Sequence, residues 1–466
     1  MITAGEAAAA VRGRLEGDAG ASLMHFSIDS RSLRPGALFF AIRGDRFDGH
    51  DFVHAAVAAG ASGVVVSRPI EAAVRFSILV RDTTEALQDL ARHVRRVSGS
   101  KVVAVTGSAG KTTTKEAAAA FLSAKFKVFR NAGNLNNHIG LPLSLLELVH
   151  RPDVAVVELG MNHAGELRKL SGIAEPDVRV WTNVAEVHTE FFESLEAVAD
   201  AKAEILEGAG PGSLLIANYD DPRVMARVGA FPGRTVTFGF DNKATVHAAG
   251  VENLGLEGTS GTLVTPSGQA AFHSPLVGRV NVANVVAAAA TAWSLGVEPA
   301  EIASRIRSIR AAAHRGVVVA LRDGIKLVDD SYNSNPRALL AMLRFVSEIE
   351  APRRVGVLGE MLELGGTSIA WHEECGREAA HALQTLIAVG GRPAQALARA
   401  AAERMPAGTV SWVPASDEAA ERLLQLVKPG DVVLVKGSRG IRTEVVVEKL
   451  MKERGTAAGP EGTPLG

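Results

Sequence analysis

Val102-Val103-Ala104-Val105-Thr106-Gly107-Ser108-Ala109-Gly110-Lys111-Thr112-Thr113 is the stretch that decides the fold. Four apolar residues without alternation read as a buried parallel strand. A helical run, Lys115 to Ser123, follows. Strand, glycine loop and helix in that order form a phosphate-binding unit. The glycines let backbone N–H groups turn toward phosphate oxygens. Lys111 offers a point charge to the β and γ phosphates, and the Thr112 hydroxyl can ligate Mg2+. Val105 stands where the longer pattern has its first glycine, so the loop is a shortened version. The alternative is a glycine-rich turn with a surface lysine. The loop points to a nucleotide and leaves the reaction open.

Outward from this loop, short apolar runs recur, each followed by a helical pattern. They are Val154–Leu159, Val178–Trp181 and Ser213–Ala217, then Lys326–Val328, Arg354–Leu358, Leu386–Val389 and Val432–Val435. This alternation predicts doubly wound α/β units with parallel sheets. The first 98 residues differ, with a Gly/Asp/Arg-rich stretch from Arg31 to Asp51 and one clear strand, Gly63–Val66. Ser98-Gly99-Ser100 reads as a linker, and an Ala-rich helix is expected to end near His314-Arg315-Gly316. The expected units are therefore 1–98, 99–312 and 313–455, with a Gly/Pro/Thr-rich, disordered tail at 456–466. They are a smaller N-terminal α/β unit, a central doubly wound phosphate-loop unit and a Rossmann-like C-terminal unit.

Composition agrees. Of 466 residues, 47% are hydrophobic and 22% charged, enough apolar material for several cores. Lys+Arg total 50 against 51 Asp+Glu, a net charge of −1. A nucleic-acid-coating protein would need a basic surplus. The one cysteine, Cys375, rules out a disulfide and any two-thiolate zinc site, and a reducing cytoplasm fits best. Met1 to Ala10 has Glu6 and no long apolar run, so no signal peptide is expected. No stretch approaches the ~18 apolar residues of a membrane span. Cys375 near His372 is read as helix packing and not as a nucleophile.

In a doubly wound sheet, ligands gather at the carboxyl ends of the strands. Glu158 ends one strand and could hold Mg2+ directly or through water, the alternative being a helix N-terminal charge. Thr182-Asn183 ends the next, with His188 shortly after. Lys202 sits among small residues in Ala201-Lys202-Ala203. From composition alone it reads as a solvated helix lysine.

Taken together, these residues resemble the Mur ligases, the ATP-dependent amino-acid ligases of bacterial cell-wall precursor synthesis. The resemblance runs through Thr106 to Thr112, Glu158-Leu159-Gly160-Met161-Asn162, Thr182-Asn183-Val184 with His188, and Ala201 to Ile205. It continues in Asn281-Val282-Ala283-Asn284, His314-Arg315-Gly316 and Asp329 to Pro336. Four stretches resemble one branch of the family, which adds D-alanyl-D-alanine. They are Asp29-Ser30-Arg31 with Asp48-Gly49-His50, Gly133 to Asn137, Gly359 to Gly365, and Lys436-Gly437-Ser438-Arg439-Gly440.

The resemblance implies roles. Gly107, Ser108, Ala109, Gly110, Lys111, Thr112 and Thr113 would cradle the ATP phosphates, with Lys111 catalytic. Thr112 and Glu158 would ligate one Mg2+. His188 would stand at a second metal, with Lys202, as a carbamate, bridging toward it. Asn281, Asn284, Arg315, Asp330, Tyr332 and Asn335 would face the nucleotide. Ser30, Arg31, Asn136 and Asn137 would lie near the UDP-sugar. The implied reaction joins D-alanyl-D-alanine to a UDP-N-acetylmuramoyl-tripeptide through an acyl phosphate, in a cytoplasmic monomer with small-molecule partners only. The alternatives are a sister ligase, a folylpolyglutamate synthase-like enzyme, or a nucleotide-binding module that ligates nothing.

Overall fold

The computed structural model describes residues 2–44, 46–133, 135–186 and 190–457. Three large sheets follow one another along the chain. The first has five strands, in the order Arg14–Gly17, Phe76–Leu79, Gly63–Val66, Leu38–Phe40, Phe26–Ser27. All its pairs are parallel except that of the edge strand Arg14–Gly17 with its neighbour Phe76–Leu79.

The central sheet has nine strands. From one edge the order is Val128–Arg130, Val154–Glu158, Lys101–Thr106, Val178–Trp181, Leu214–Asn218, Arg234–Gly239, Val246–Asn253, Thr259–Thr265 and Gly268–Ser274. The first seven run parallel and the last two add antiparallel. The chain leaves Lys101–Thr106 toward one edge, then returns past it toward the other. That reversal opens a crevice at the carboxyl end of Lys101–Thr106, where the glycine loop begins. The third sheet has six strands, in the order Val317–Ala320, Lys326–Asp330, Val432–Lys436, Arg354–Gly359, Thr385–Val389, Val410–Val413. Only Val317–Ala320 runs antiparallel.

The N-terminal and central sheets share one apolar core. Leu87, Leu90 and Val94, on the helix Thr83–Ser98, belong to the same buried cluster as Leu141, Leu145 and Ala155. That helix begins on an Asp82 cap and ends at Gly99, whose φ of +74° closes it before the strand at Lys101. The helices Lys111–Leu122 and Arg279–Ser294 cover the other face of the central sheet. The third sheet has a two-sided core, one side of which also buries Val277 of the central unit.

Two expectations need correction. The helix before the third sheet, Pro299–Ile306, ends well short of His314, because Ile309 turns back and is buried in the central core. The expected disordered tail is tied down at its start: Ala457 N–H donates to the Ala320 carbonyl at 2.9 Å. The rest of the tail, 458–466, lies outside the described residues.

Candidate active site

A cleft of about 1820 Å3 lies between the carboxyl ends of the central and C-terminal sheets. Its central wall begins with the glycine loop. Gly107 has φ +150°, and a Cβ there would lie 1.9 Å from Thr182 Oγ1. Gly110 has φ +81°, and a Cβ there would lie 2.0 Å from Asn284 Oδ1. Both glycines are thus required by backbone and by space.

The loop is braced from the neighbouring strand end. Ser108 N–H donates to the Asn183 carbonyl at 3.0 Å and Ala109 N–H to Asn183 Oδ1 at 2.9 Å. Thr182 Oγ1 and Asn183 Nδ2 both donate to the Ala109 carbonyl. Two loop amides are therefore spent on the protein. The anion cradle is instead the first turn of the helix Lys111–Leu122. The amides of Lys111, Thr112 and Thr113 have no partner among the described residues, and the helix dipole favours an anion there.

Glu158, 3% exposed, sits beside that turn. Its carboxylate accepts from Thr112 Oγ1 at 2.7 Å and from Asn136 Nδ2 at 2.7 Å. Its own N–H donates to Asn131 Oδ1 at 3.1 Å. Lys115, fully buried, donates to the Asn131 carbonyl at 2.7 Å and pairs with Glu116 at 3.1 Å. Lys115 thus holds the segment that delivers Asn136. Asn137 precedes the helix Gly140–Leu146, and its side chain accepts from Gly140 N–H at 2.8 Å. Both asparagines line the cleft, with Asn136 on the Glu158 carboxylate.

Lys111 curls back, its Nζ donating to the Gly107 carbonyl at 2.9 Å. Loss of water lowers its pKa, Glu158 opposes that shift, and Arg315 adds to it. Lys202 is 2% exposed on the helix Leu195–Ala203 and does not line the cleft. Its ammonium meets no hydrogen-bond acceptor among the described residues. Burial, and next the Lys111 charge, push its pKa well below the ordinary lysine value. The solvated lysine suggested by composition is a buried amine. His188 lies outside the described residues. Among the described residues no group of three His, Cys, Asp or Glu side chains forms a metal-binding cluster. Thr112 and Glu158 nonetheless present hard oxygen donors side by side, the ligand type Mg2+ takes alongside phosphates and water.

The opposite wall comes from the C-terminal sheet. The Arg315 guanidinium lies 4.1 Å from the Tyr332 ring centre, and that of Arg439 lies 5.5 Å from it. Asp330 is neutralised by Lys436 at 2.6 Å. Asn335 caps the helix Pro336–Ser347, accepting from Ala338 N–H at 2.9 Å, and lines the cleft. On the central side Asn281 Nδ2 donates to the Val277 carbonyl at 2.9 Å, and Asn284 stands over Gly110.

Ser30 and Arg31 do not join this cleft. Exposed Arg31 grips Asp29 at 2.7 Å and 2.9 Å, lowering the Asp29 carboxyl to about 2. Cys375 and His372 form no nucleophile pair. The imidazole accepts from Met361 N–H at 2.9 Å through Nε2, so Nδ1–H donates to the Ser368 carbonyl at 2.7 Å. Burial lowers the His372 pKa and pushes the Cys375 thiol up to about 12. Sequence reasoning missed Lys115 and Asn131. Each acts through a backbone carbonyl or amide distant in sequence, which no motif reports.

Family models described as Mur ligase family catalytic domain, Mur ligase middle domain, and Mur ligase, glutamate ligase domain match residues 24–111, 105–292 and 314–439. The UDP-N-acetylmuramoyl-tripeptide--D-alanyl-D-alanine ligase of Escherichia coli (strain K12) is 36% identical, over 96% of this chain and 97% of that protein. The chain belongs to the Mur ligase family. Solved structures agree with its fold. MurF from Acinetobacter baumannii superposes on this Mur ligase with TM-score 0.87 at 31% identity, covering 97% of this chain and 99% of that one. MurF from Thermotoga maritima, solved in complex with ADP, gives 0.82 at 29% identity, covering 92% and 97%.

Proposed function

We propose that this Mur ligase uses ATP to join D-alanyl-D-alanine to a UDP-N-acetylmuramoyl-tripeptide. The observation that carries the reading is the shared cleft. A helix N-terminus with free amides and the Thr112–Glu158 oxygens form one wall, and Arg315, Tyr332 and Arg439 form the other. Similarity to ligases of that name extends over more than nine-tenths of the chain. We assign 1–98 to the UDP-sugar, 99–312 to ATP and 313–455 to the acceptor side. We place the protein in the cytoplasm, a reading that its single, buried cysteine supports, and take it to act as a monomer.

In the first step a carboxylate oxygen of the tripeptide attacks the γ-phosphorus, and the bond to the ADP oxygen breaks. In the second the dipeptide amine attacks the acyl carbon, phosphate leaves with its electron pair, and the surplus proton on nitrogen passes to the departing phosphate. An α-amine has a pKa of about 7.7–8, so a sizeable fraction is unprotonated at neutral pH and no strong protein base is required. The protein's task is to bring together two anions that repel. The amides of Lys111–Thr113 and the Lys111 ammonium face the phosphates, while the second wall keeps water from the acyl phosphate. Mg2+, held by Thr112 and Glu158, would supply charge neutralisation at the triphosphate.

Lys202 takes the role of a carbamate. Burial favours its neutral amine, the form that attacks CO2, making an N–C bond and releasing a proton. The resulting anion faces the Lys111 cation instead of a second ammonium. The test of the whole reading is phosphate release with and without each acceptor. Release requiring both acceptors, with the pentapeptide product seen by mass spectrometry, is expected. Rapid ATP turnover by the enzyme alone overturns it.

A further inference from the structure

Arg337 is a residue to which neither the phosphate-loop motif nor the ligation chemistry gives a task. It stands in the first turn of the helix Pro336–Ser347, on the C-terminal wall. Its Nη1 nevertheless donates to the Val184 carbonyl at 2.8 Å, on the central wall.

Val184 lies between the two residues that grip the phosphate loop. Before it, Asn183 takes the amides of Ser108 and Ala109. After it, Ala185 shares two bonds with the Ser108 hydroxyl, its N–H donating at 2.9 Å and its carbonyl accepting at 3.2 Å. Val184 N–H is itself held by Asp221 Oδ2 at 2.8 Å. The carbonyls of Thr182, Asn183 and Ala185 accept from the central unit, and that of buried Val184 accepts instead from Arg337 on the opposite unit. Arg337 forms no ion pair among the described residues, so its full charge strengthens this bond. Among the described residues, Asn253 to Glu348 at 2.7 Å and Glu190 N–H to the Glu363 carbonyl at 3.1 Å also join the two units, and neither touches the brace.

We infer that Arg337 is a positioning residue that ties the order of the phosphate loop to the docking of the C-terminal sheet. The bond forms only while the helix Pro336–Ser347 lies against residues 182–185. Docking and bracing are therefore one event, and a loop whose partner unit is undocked is held from one side only. The consequence for turnover rests on the proposed ligation of ATP, whereas the consequence for loop order does not.

The experiment uses Arg337→Met and Arg337→Lys in the full chain. Amide hydrogen exchange over 106–113 and 182–186, without nucleotide, should be several-fold faster in R337M, with exchange over 338–347 unchanged. For ligation, R337M should lower kcat about tenfold, the factor produced by ~1.4 kcal/mol of lost positioning, with KM for ATP changing less. R337K should recover part of both effects, since an ammonium can still donate to a carbonyl. Unchanged exchange in both loop segments, or kcat within about twofold of wild type, overturns the inference. Should wild type show no acceptor-dependent phosphate release, the ligase reading falls and the exchange measurement alone decides the role of Arg337.

Discussion

Replacing Lys202 by methionine tests the buried amine directly. Methionine has a similar length, fills the same space and titrates nothing. In the fold the lysine pKa lies well below its ordinary value, first through burial and then through Lys111. In the unfolded chain it returns to about 10.4. Between those two values the unfolded chain holds one more proton than the fold. Wild-type stability therefore rises with pH across that window by up to ~1.4 kcal/mol per unit. Below the folded pKa both states carry the proton and the contribution is constant, and above about 10.4 neither does. Lys202→Met lacks this term. In CO2-free buffer it should exceed wild type in stability at low pH, and the gap should narrow as pH climbs through the window. Urea midpoints read by the fluorescence of Trp181, buried in the adjoining sheet, would show it, with Trp293, Trp371 and Trp412 replaced by phenylalanine. Added bicarbonate should stabilise only the lysine form, because a group bound to the fold alone shifts the equilibrium. Parallel curves for the two proteins from about pH 6 to about pH 10 would refute the buried-amine reasoning.

Three further outcomes are expected. Gly110→Ala forces a Cβ to 2.0 Å from Asn284 Oδ1 at φ +81°. Strain of roughly 1–3 kcal/mol should weaken ATP binding about 5- to 150-fold by calorimetry, and an unchanged Kd would show that the loop yields. Glu158→Gln keeps the shape of the site and should unfold near wild type while losing ligation roughly a hundredfold. Glu158→Ala also strands the Thr112 hydroxyl and the Asn136 amide, each at about 1–3 kcal/mol, so equal midpoints for the two variants would contradict the hydrogen-bond geometry. Asp431, 1% exposed, takes two bonds from Arg353, and Asp431→Ala should cost about 3–5 kcal/mol in chemical denaturation. A loss below about 1 kcal/mol would mean that the pair is screened by water.

What the sequence shows of the fold depends on how each strand is buried. Val178–Trp181 and Gly63–Val66 are found at their expected bounds, and the other apolar runs differ from theirs by only a residue or two, because strands covered on both faces are mostly apolar, buried Arg179 in Val178–Trp181 being an exception. Val246–Asn253, Thr259–Thr265 and Gly268–Ser274 escaped notice. They are rich in Thr, Ser, Gly and Ala, and one face meets solvent, so no continuous run marks them. At the site, the glycine loop and Glu158 were legible as strand-end chemistry. The pairing of Asn136 with Glu158 and the approach of Lys111 to Lys202 were not, since each depends on which strands become neighbours in the sheet. That order is set by packing between segments far apart in the chain.

The single core beneath the first two sheets also sets an order of events during synthesis. The helix Thr83–Ser98 completes the N-terminal unit, yet Leu87, Leu90 and Val94 are buried with Leu141 and Leu145. Those partners leave the ribosome ~50 residues later, a delay of roughly 2–10 s at ~5–20 residues per second. For that interval the nascent chain carries an apolar helix face with nothing to cover it. A chaperone that binds emerging hydrophobic segments would find its target there, in the nascent N-terminal unit. The C-terminal sheet closes over a core built mostly from its own strands and helices, and Val277, the buried residue it takes from the central unit, has already been made when it emerges.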